Sequence, residues 1–238
     1  MGKHQRAMEI HSFRMGPFTN SYLIRGDRGC ILVDAGFPNQ EKRFLRQVGR
    51  LGFQPGEIRL IVATHGHADH VGSLHALKSL TGARVAVHRQ DSRLVSQGIV
   101  RIPPPVTLWG EFLFLVFSIF SFLGRFHPVE PDIVLDDEYC LDPFGIPGKI
   151  IHTSGHTPGS VSLVLAGGEA FVGDLAVNTS PLGRVPGIPA LAEDTRQIYK
   201  SWERLLSAGA RTIYPAHGKP FPSRHLERKP GSEKPRNP

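Results

Sequence analysis

Four side chains that bind metals well stand within six residues: His65, His67, Asp69 and His70, in the run Thr64-His65-Gly66-His67-Ala68-Asp69-His70. Imidazole and carboxylate together suit zinc, iron or manganese. The run follows Leu60-Ile61-Val62-Ala63, a short apolar segment of the buried-strand type. While the backbone stays extended, side chains two apart face the same way, so His65 and His67 aim at one point. A turn into a helix then swings Asp69 and His70 towards a second point, and one segment can serve two adjacent ions. Water held by such ions becomes a nucleophile near neutral pH, its pKa falling from 15.7 towards about 7. The chemistry on offer is therefore hydrolysis. Three more ligand types follow strand-like runs in Gly- or Pro-rich turns: His156 in Ser154–Ser160, Asp174 after Phe171-Val172-Gly173, and His217 in Tyr214–Gly218. His11, His75, His88, His127 and His152 stand singly and read as ordinary polar residues, as do His4 and His225 in the tail segments.

The elements that must position these residues are legible as alternating strand and helix patterns. Strands are expected at 8–15, 19–25 and 30–34, with Gly26 and Gly29 marking a turn. Phe44, Leu45, Val48 and Leu51 recur at helical spacing within 39–51, and Gly52 follows as a stop. A helix is expected from Asp69 to about Leu80, a strand at 83–88 and a short helix at 90–97. Strands resume at 133–135, 149–151, 161–165 and 170–172, a helix follows at 193–206 with Ile198, Trp202, Leu205 and Leu206 inside, and a last strand lies at 211–214. No internal repeat is present. Strands, helix, strands, helix favours two sheets packed between helical layers.

The segment 98–127 interrupts this order with Pro103-Pro104-Pro105 and then an uncharged apolar run, 112–123. A membrane-spanning helix takes about 20 residues, so the run is too short to cross a bilayer. A buried helix over the core is the plain reading. A lid over a pocket for an apolar substrate, a homodimer face and a membrane-surface contact remain open beside it.

A chain of 238 residues with 40% hydrophobic and 21% charged residues can build a sizeable core without metal or disulfide staples. Cys30 and Cys140 lie in apolar runs and are expected as buried free thiols. The opening residues lack the apolar core of a signal peptide, which makes a cytoplasmic location the expectation. The formal charge is +7, but more than half of the excess lies after residue 218, in a Pro-rich stretch expected to be a disordered tail from 220 to 238. Nucleic-acid binding is therefore not indicated.

Thr-His-x-His-x-Asp-His, Ser-Gly-His-Thr-x-Gly, Gly-Asp and Ala-His-Gly, in this order over residues 8–219, resemble the metallo-β-lactamase superfamily. The resemblance implies an α/β fold, a four-layer αββα sandwich with a dinuclear site at one edge. It implies that His65, His67 and His156 hold one divalent ion, and that Asp69, His70 and His217 hold the other. Asp174 would bridge both, and Asp34, in Leu32-Val33-Asp34-Ala35-Gly36, would stand close behind them. Asp69 is the candidate to carry a proton to the leaving group. Zinc is the first choice of metal, with iron and manganese as alternatives.

Departures from several subfamilies narrow the substrate. Asp174 stands where many true β-lactamases have a cysteine, and His67 where flavodiiron oxygen reductases have a glutamate. The added helical domain of glyoxalase II and the tRNA-binding arm of ribonuclease Z-like members are not evident. The chain looks most like lactonases and related ester or thioester hydrolases, whose small-molecule substrates carry acyl groups. Phosphodiester hydrolysis ranks second, and a non-catalytic metal-binding member of the fold third.

Overall fold

The computed structural model describes residues 8–179 and 186–227, and the expected tail beyond 227 lies outside them. One sheet runs in the order β1 (Glu9–Arg14), β2 (Asn20–Gly26), β3 (Gly29–Val33), β4 (Ile58–Val62), β5 (Arg84–His88), β6 (Ile133–Leu135). Its first three strands are antiparallel, and β3 to β6 are parallel. The second sheet contains β7 (Glu138–Cys140), β8 (Gly148–His152), β9 (Val161–Leu165), β10 (Glu169–Gly173), β11 (Thr212–Pro215) and β12 (Phe221–Pro222). It is antiparallel except where β10 meets β11.

The period-two alternation along the central strands creates two apolar faces. Leu23, Leu32, Ile61 and Val85 pack against Phe44 and Val48 of α1 (Glu41–Arg50) and Leu74 and Leu77 beyond it. Their neighbours Ile24, Ile31, Leu60 and Val62 face the second sheet, where Leu163 and Phe171 complete the inner core. The outer face of the second sheet receives Ile198, Trp202 and Leu205 of α6 (Thr195–Ser207). Asp194 caps that helix, accepting from the amides of Arg196 and Gln197 at 2.8 and 3.0 Å. Helices, sheet, sheet and helix stack as the four-layer αββα sandwich expected from the sequence.

Several details differ from expectation. The helix after the histidine run is two helices, α2 (Ala68–Val71) and α3 (Leu74–Thr81). At the break, the Ser73 hydroxyl donates to the Phe37 carbonyl at 2.6 Å and accepts from the Gln40 amide at 2.9 Å. A Cβ at Gly72 would run into Pro38, so the loop before α1 fits only against a glycine. Strand β7 is short and largely exposed, which left no apolar alternation to read. Cys30 is buried as expected, but Cys140, on this edge strand, is exposed. Residues 221–227, expected to belong to the tail, are part of the fold instead: Phe221 and Leu226 are buried beside α6, and β12 pairs with β11.

The apolar run is also corrected. It folds as α5 (Leu108–Ile119) and a 3-10 turn at Ser121–Gly124, but Gly110 is the only fully buried residue of α5. Leu108, Phe112, Leu115, Ile119 and Phe120 are all more than half exposed, so the segment is not a buried cover for the core. Its two ends are seated: Gly110 lies against the Ala190 carbonyl, and Gly124 against Ala68. Among the described residues no helix is long and apolar enough to cross a membrane.

Two contacts lend themselves to tests of this packing. Phe171 is fully buried between the sheets, its ring 5.1 Å from that of Tyr22 and 4.8 Å from that of Tyr214. Phe171→Ala should lower unfolding stability by about 3–5 kcal/mol in a urea titration. At the ends of β5 and β8, His88 and His152 stack with ring centroids 4.0 Å apart, and His88 Nδ1 accepts from the Gln90 amide to cap α4 (Arg89–Gln97). Burial, and then the neighbouring His152, push the His88 imidazole down to about 4. Since its unfolded value is higher, the unfolded chain takes up the proton first, and stability present above pH 6.5 is lost as pH falls towards 4. His88→Gln should flatten the dependence of the urea midpoint on pH across that window.

Candidate metal centre

Every residue singled out from the motifs lies at one edge of the sandwich, in the turns that follow β3, β4, β8, β10 and β11. His65 lies in the bend after β4, and His67, extended at φ −79°, ψ 149°, is the residue before α2, which carries Asp69 and His70. Asp34 follows β3, His156 follows β8, Asp174 follows β10 and His217 follows β11. The two sheets are joined here. The Tyr22 hydroxyl donates to the Pro215 carbonyl at 2.6 Å, the Asn20 amide to Ala216 at 2.8 Å and the Val161 amide to Thr64 at 2.8 Å.

The side chains converge as three overlapping groups, each with ligand atoms within 4.8 Å of one another: His65, His67 and His156; His65, His70 and Asp174; Asp69, His70 and His217. Asp174 faces both ends of the set. Its Oδ1 lies 3.4 Å from His70 Nε2 and 3.3 Å from His217 Nε2, and its Oδ2 lies 3.6 Å from His156 Nε2. His65, His67, His70 and His156 are buried, whereas the Asp69 and His217 side chains are 25% and 18% exposed.

Hydrogen bonds behind the imidazoles decide which nitrogen each presents. His70 Nδ1 donates to Asp34 Oδ2 at 2.8 Å, His156 Nδ1 to the Leu191 carbonyl at 3.0 Å, and His217 Nδ1 to the Phe18 carbonyl at 3.1 Å. Thr64 gives its hydroxyl proton to Asp34 Oδ2 at 2.9 Å, which leaves its oxygen to accept from His65 Nδ1 at 3.1 Å. Four rings are thereby fixed with the Nε2 lone pair turned inward, the arrangement that outer partners of metal-binding histidines produce. His67 is the exception, its Nδ1 lying 3.0 Å from His156 Nε2.

The donor set fits a divalent ion better than it fits itself. His65 Nε2, His67 Nε2, His70 Nε2 and Asp174 Oδ1 are buried without a hydrogen-bond partner, a costly condition that a bound cation relieves. Burial, followed by repulsion from His156, pushes the His67 imidazole down to about 3, and burial likewise lowers His156 and, with His70 close by, His65. Neutral imidazole is the metal-binding form. At the other end burial would lower His217 and His70. The carboxylates outweigh it, Asp174 and Asp69 lifting His217 to about 10 and Asp69 and Asp34 raising His70. Burial also opposes the charge on Asp69 and Asp174, yet His70 and His217 hold both carboxyls well below their ordinary range.

The sequence reading did not pick out Thr19, Thr64 or Asp91. Thr19 is buried and donates to Asp69 Oδ2 at 3.1 Å. Asp91, inside α4, is hydrogen-bonded to the loops on either side of the histidine cluster. Thr64 stands within the quoted motif, so its place was visible although its role was not. Thr19 and Asp91 lie in segments with no ligand-type pattern. His11, His75, His88, His127, His152 and His225 remain outside the cluster.

The chain matches the family model described as Metallo-beta-lactamase superfamily over residues 14–217. It is 26% identical over 200 residues to the Beta-lactamase-like protein 2 homolog of Drosophila melanogaster, covering 84% of this chain but only 58% of that protein's length. With the uncharacterized protein YobT of Bacillus subtilis it shares 29% identity over 211 residues, 84% of this chain and 83% of the other. Among solved structures, a metallo-beta-lactamase family protein of Thermus thermophilus superimposes with a TM-score of 0.69 at 21% identity, over 92% of this chain and 77% of that one. The BLEG-1 B3 metallo-beta-lactamase gives 0.71 at 19% identity, over 95% and 100%. These two likenesses concern the fold, while the match of the family model spans the motifs themselves. The chain belongs to the metallo-beta-lactamase superfamily.

Proposed function

We propose that the protein is a metal-dependent hydrolase acting on a carboxylic ester, lactone or thioester, with two divalent ions, zinc in the first instance, held by its histidines and aspartates. The observation that carries this reading is the convergence of five imidazoles and two carboxylates, with His65 Nε2, His67 Nε2, His70 Nε2 and Asp174 Oδ1 buried and without a hydrogen-bond partner. In this reading His65, His67 and His156 hold one ion and Asp69, His70 and His217 the other. Asp174 spans both, consistent with its near-equal distances to His70, His217 and His156. Bound there, the ions would supply an activated water at neutral pH and stabilise the oxyanion that develops at the attacked carbonyl.

The chain's own residues supply the remaining parts. Asp69 is the more exposed of the two carboxylates, 25% against 11%, and Thr19 holds its Oδ2 at 3.1 Å. That disposition suits a proton carrier between water and leaving group, whereas Asp174 is confined between imidazoles. Asp34 and Thr64 keep His70 and His65 in orientation. The apolar run is seated beside the cluster by two glycines, Gly110 of α5 against Ala190, next to Leu191, and Gly124 of the following turn against Ala68, between His67 and Asp69. An apolar segment anchored so close to the cluster favours a small substrate with an acyl group over a phosphodiester.

Protein purified without chelator should contain about two equivalents of zinc, iron or manganese by mass spectrometry, and Asp174→Ala should contain less. Absence of any transition metal, before and after titration with zinc, would sink the reading. In a screen of esters, lactones and thioesters run with zinc added until about two equivalents are bound, Asp69→Asn should turn over about 10²- to 10⁴-fold more slowly than wild type, the usual cost of losing a proton-transfer group. Full turnover in that variant would assign the proton transfer elsewhere.

A further inference from the structure

Asp91 is buried, 1% exposed, and among the described residues no cation forms an ion pair with it. A carboxylate in that position is expensive unless hydrogen bonds replace its water. Here three donors do so, and they come from two different loops. Oδ2 accepts from the Gly66 amide at 2.9 Å and from the Thr157 hydroxyl at 2.8 Å, and Oδ1 accepts from the Gly159 amide at 2.9 Å. Gly66 stands between His65 and His67, and Thr157 follows His156 directly. A Cβ at Gly159 would run into the Asp91 carboxylate, so the second loop is shaped to admit it.

We propose that Asp91 is a positioning residue for the inner metal position, a strut whose carboxylate sets the separation of the loop bearing His65 and His67 from the loop bearing His156. Among the described residues it makes no hydrogen bond to an imidazole, and it sits on α4, after β5 of the first sheet, whereas His156 leaves the second. The three histidines come together within 4.8 Å only if those loops keep their spacing. Preformed spacing spares the ligands reorganisation on binding and so raises affinity, as outer partners of metal ligands do. The inference rests on the metal-binding reading above, but concerns affinity at one position and needs no knowledge of the substrate.

Asp91→Asn tests it, because the amide keeps the shape and sets an NH₂ against one of the backbone donors. Zinc binding is read by competition with a fluorescent chelator, on wild type and variant, and the urea midpoint is measured on the metal-free forms. The expected result is that one zinc equivalent weakens about 10- to 100-fold. The other should be retained, and the fall should exceed any change in the metal-free midpoint. Unchanged zinc affinity, with a lower midpoint in metal-free and loaded protein alike, would reduce Asp91 to a core hydrogen-bond acceptor and overturn the proposal. Should Asp91→Asn fail to fold, Thr157→Val removes one donor and leaves the carboxylate, and about a three- to tenfold loss is expected from one hydrogen bond. Unaltered affinity in folded Thr157→Val would overturn the proposal equally. A wild-type protein that takes up no zinc would instead bring down the metal-binding reading itself, a different outcome seen in a different sample.

Discussion

The edge of this sandwich is organised around the Asp34 carboxylate. It is buried, and its backbone sits at φ +62°, a conformation that costs a non-glycine residue about 1–3 kcal/mol. The surrounding contacts hold it there. Oδ1 accepts from the Thr64 amide at 2.8 Å, and Oδ2 accepts from the Thr64 hydroxyl at 2.9 Å and from His70 Nδ1 at 2.8 Å. One side chain thus fixes the turn after β3 to the turn after β4, orients His70 directly, and orients His65 through the shared hydroxyl. Gly173, at φ +54°, belongs to the same arrangement, since a Cβ there would strike the Thr64 side chain just before Asp174.

The strands make this network rigid. Neighbouring parallel strands β3, β4 and β5 end together, and the inner core of aliphatic side chains and Phe171 fixes the second sheet against them. Asp174 and His217 arrive from adjacent strands β10 and β11, which also run parallel and deliver their turns to the same edge. The candidate ligand atoms of four separate turns, after β4, β8, β10 and β11, can then meet without any turn being long.

Much of this was legible in the sequence, and the reasons for the remainder are physical. Period-two alternation and helical spacing located the central strands and outer helices because those segments bury one face or both. The ligand types were legible because they cluster, His65 to His70 above all. The break at Gly72–Ser73 was hidden because it depends on Phe37 and Pro38, which come close only in the fold. Strand β7 exists through pairing with β8 rather than through its own pattern. The apolar run misled in the opposite sense: composition alone favoured burial, yet α5 stands with most of its circumference in solvent. Asp91 was unreadable, since an acid in a short helix ordinarily faces water, and only the approach of Gly159 and Thr157 turns it inward.

The graded burial of the cluster imposes an order on exchange with solvent. His65, His67 and His156 are enclosed, whereas Asp69 and His217 form the rim. A competing chelator approaching from outside would meet the rim pair before the enclosed trio. Under the proposed two-metal reading the positions would therefore be unequal in kinetics even if equal in affinity, and a half-emptied form that keeps the inner position would be the natural waypoint between fully loaded and bare protein.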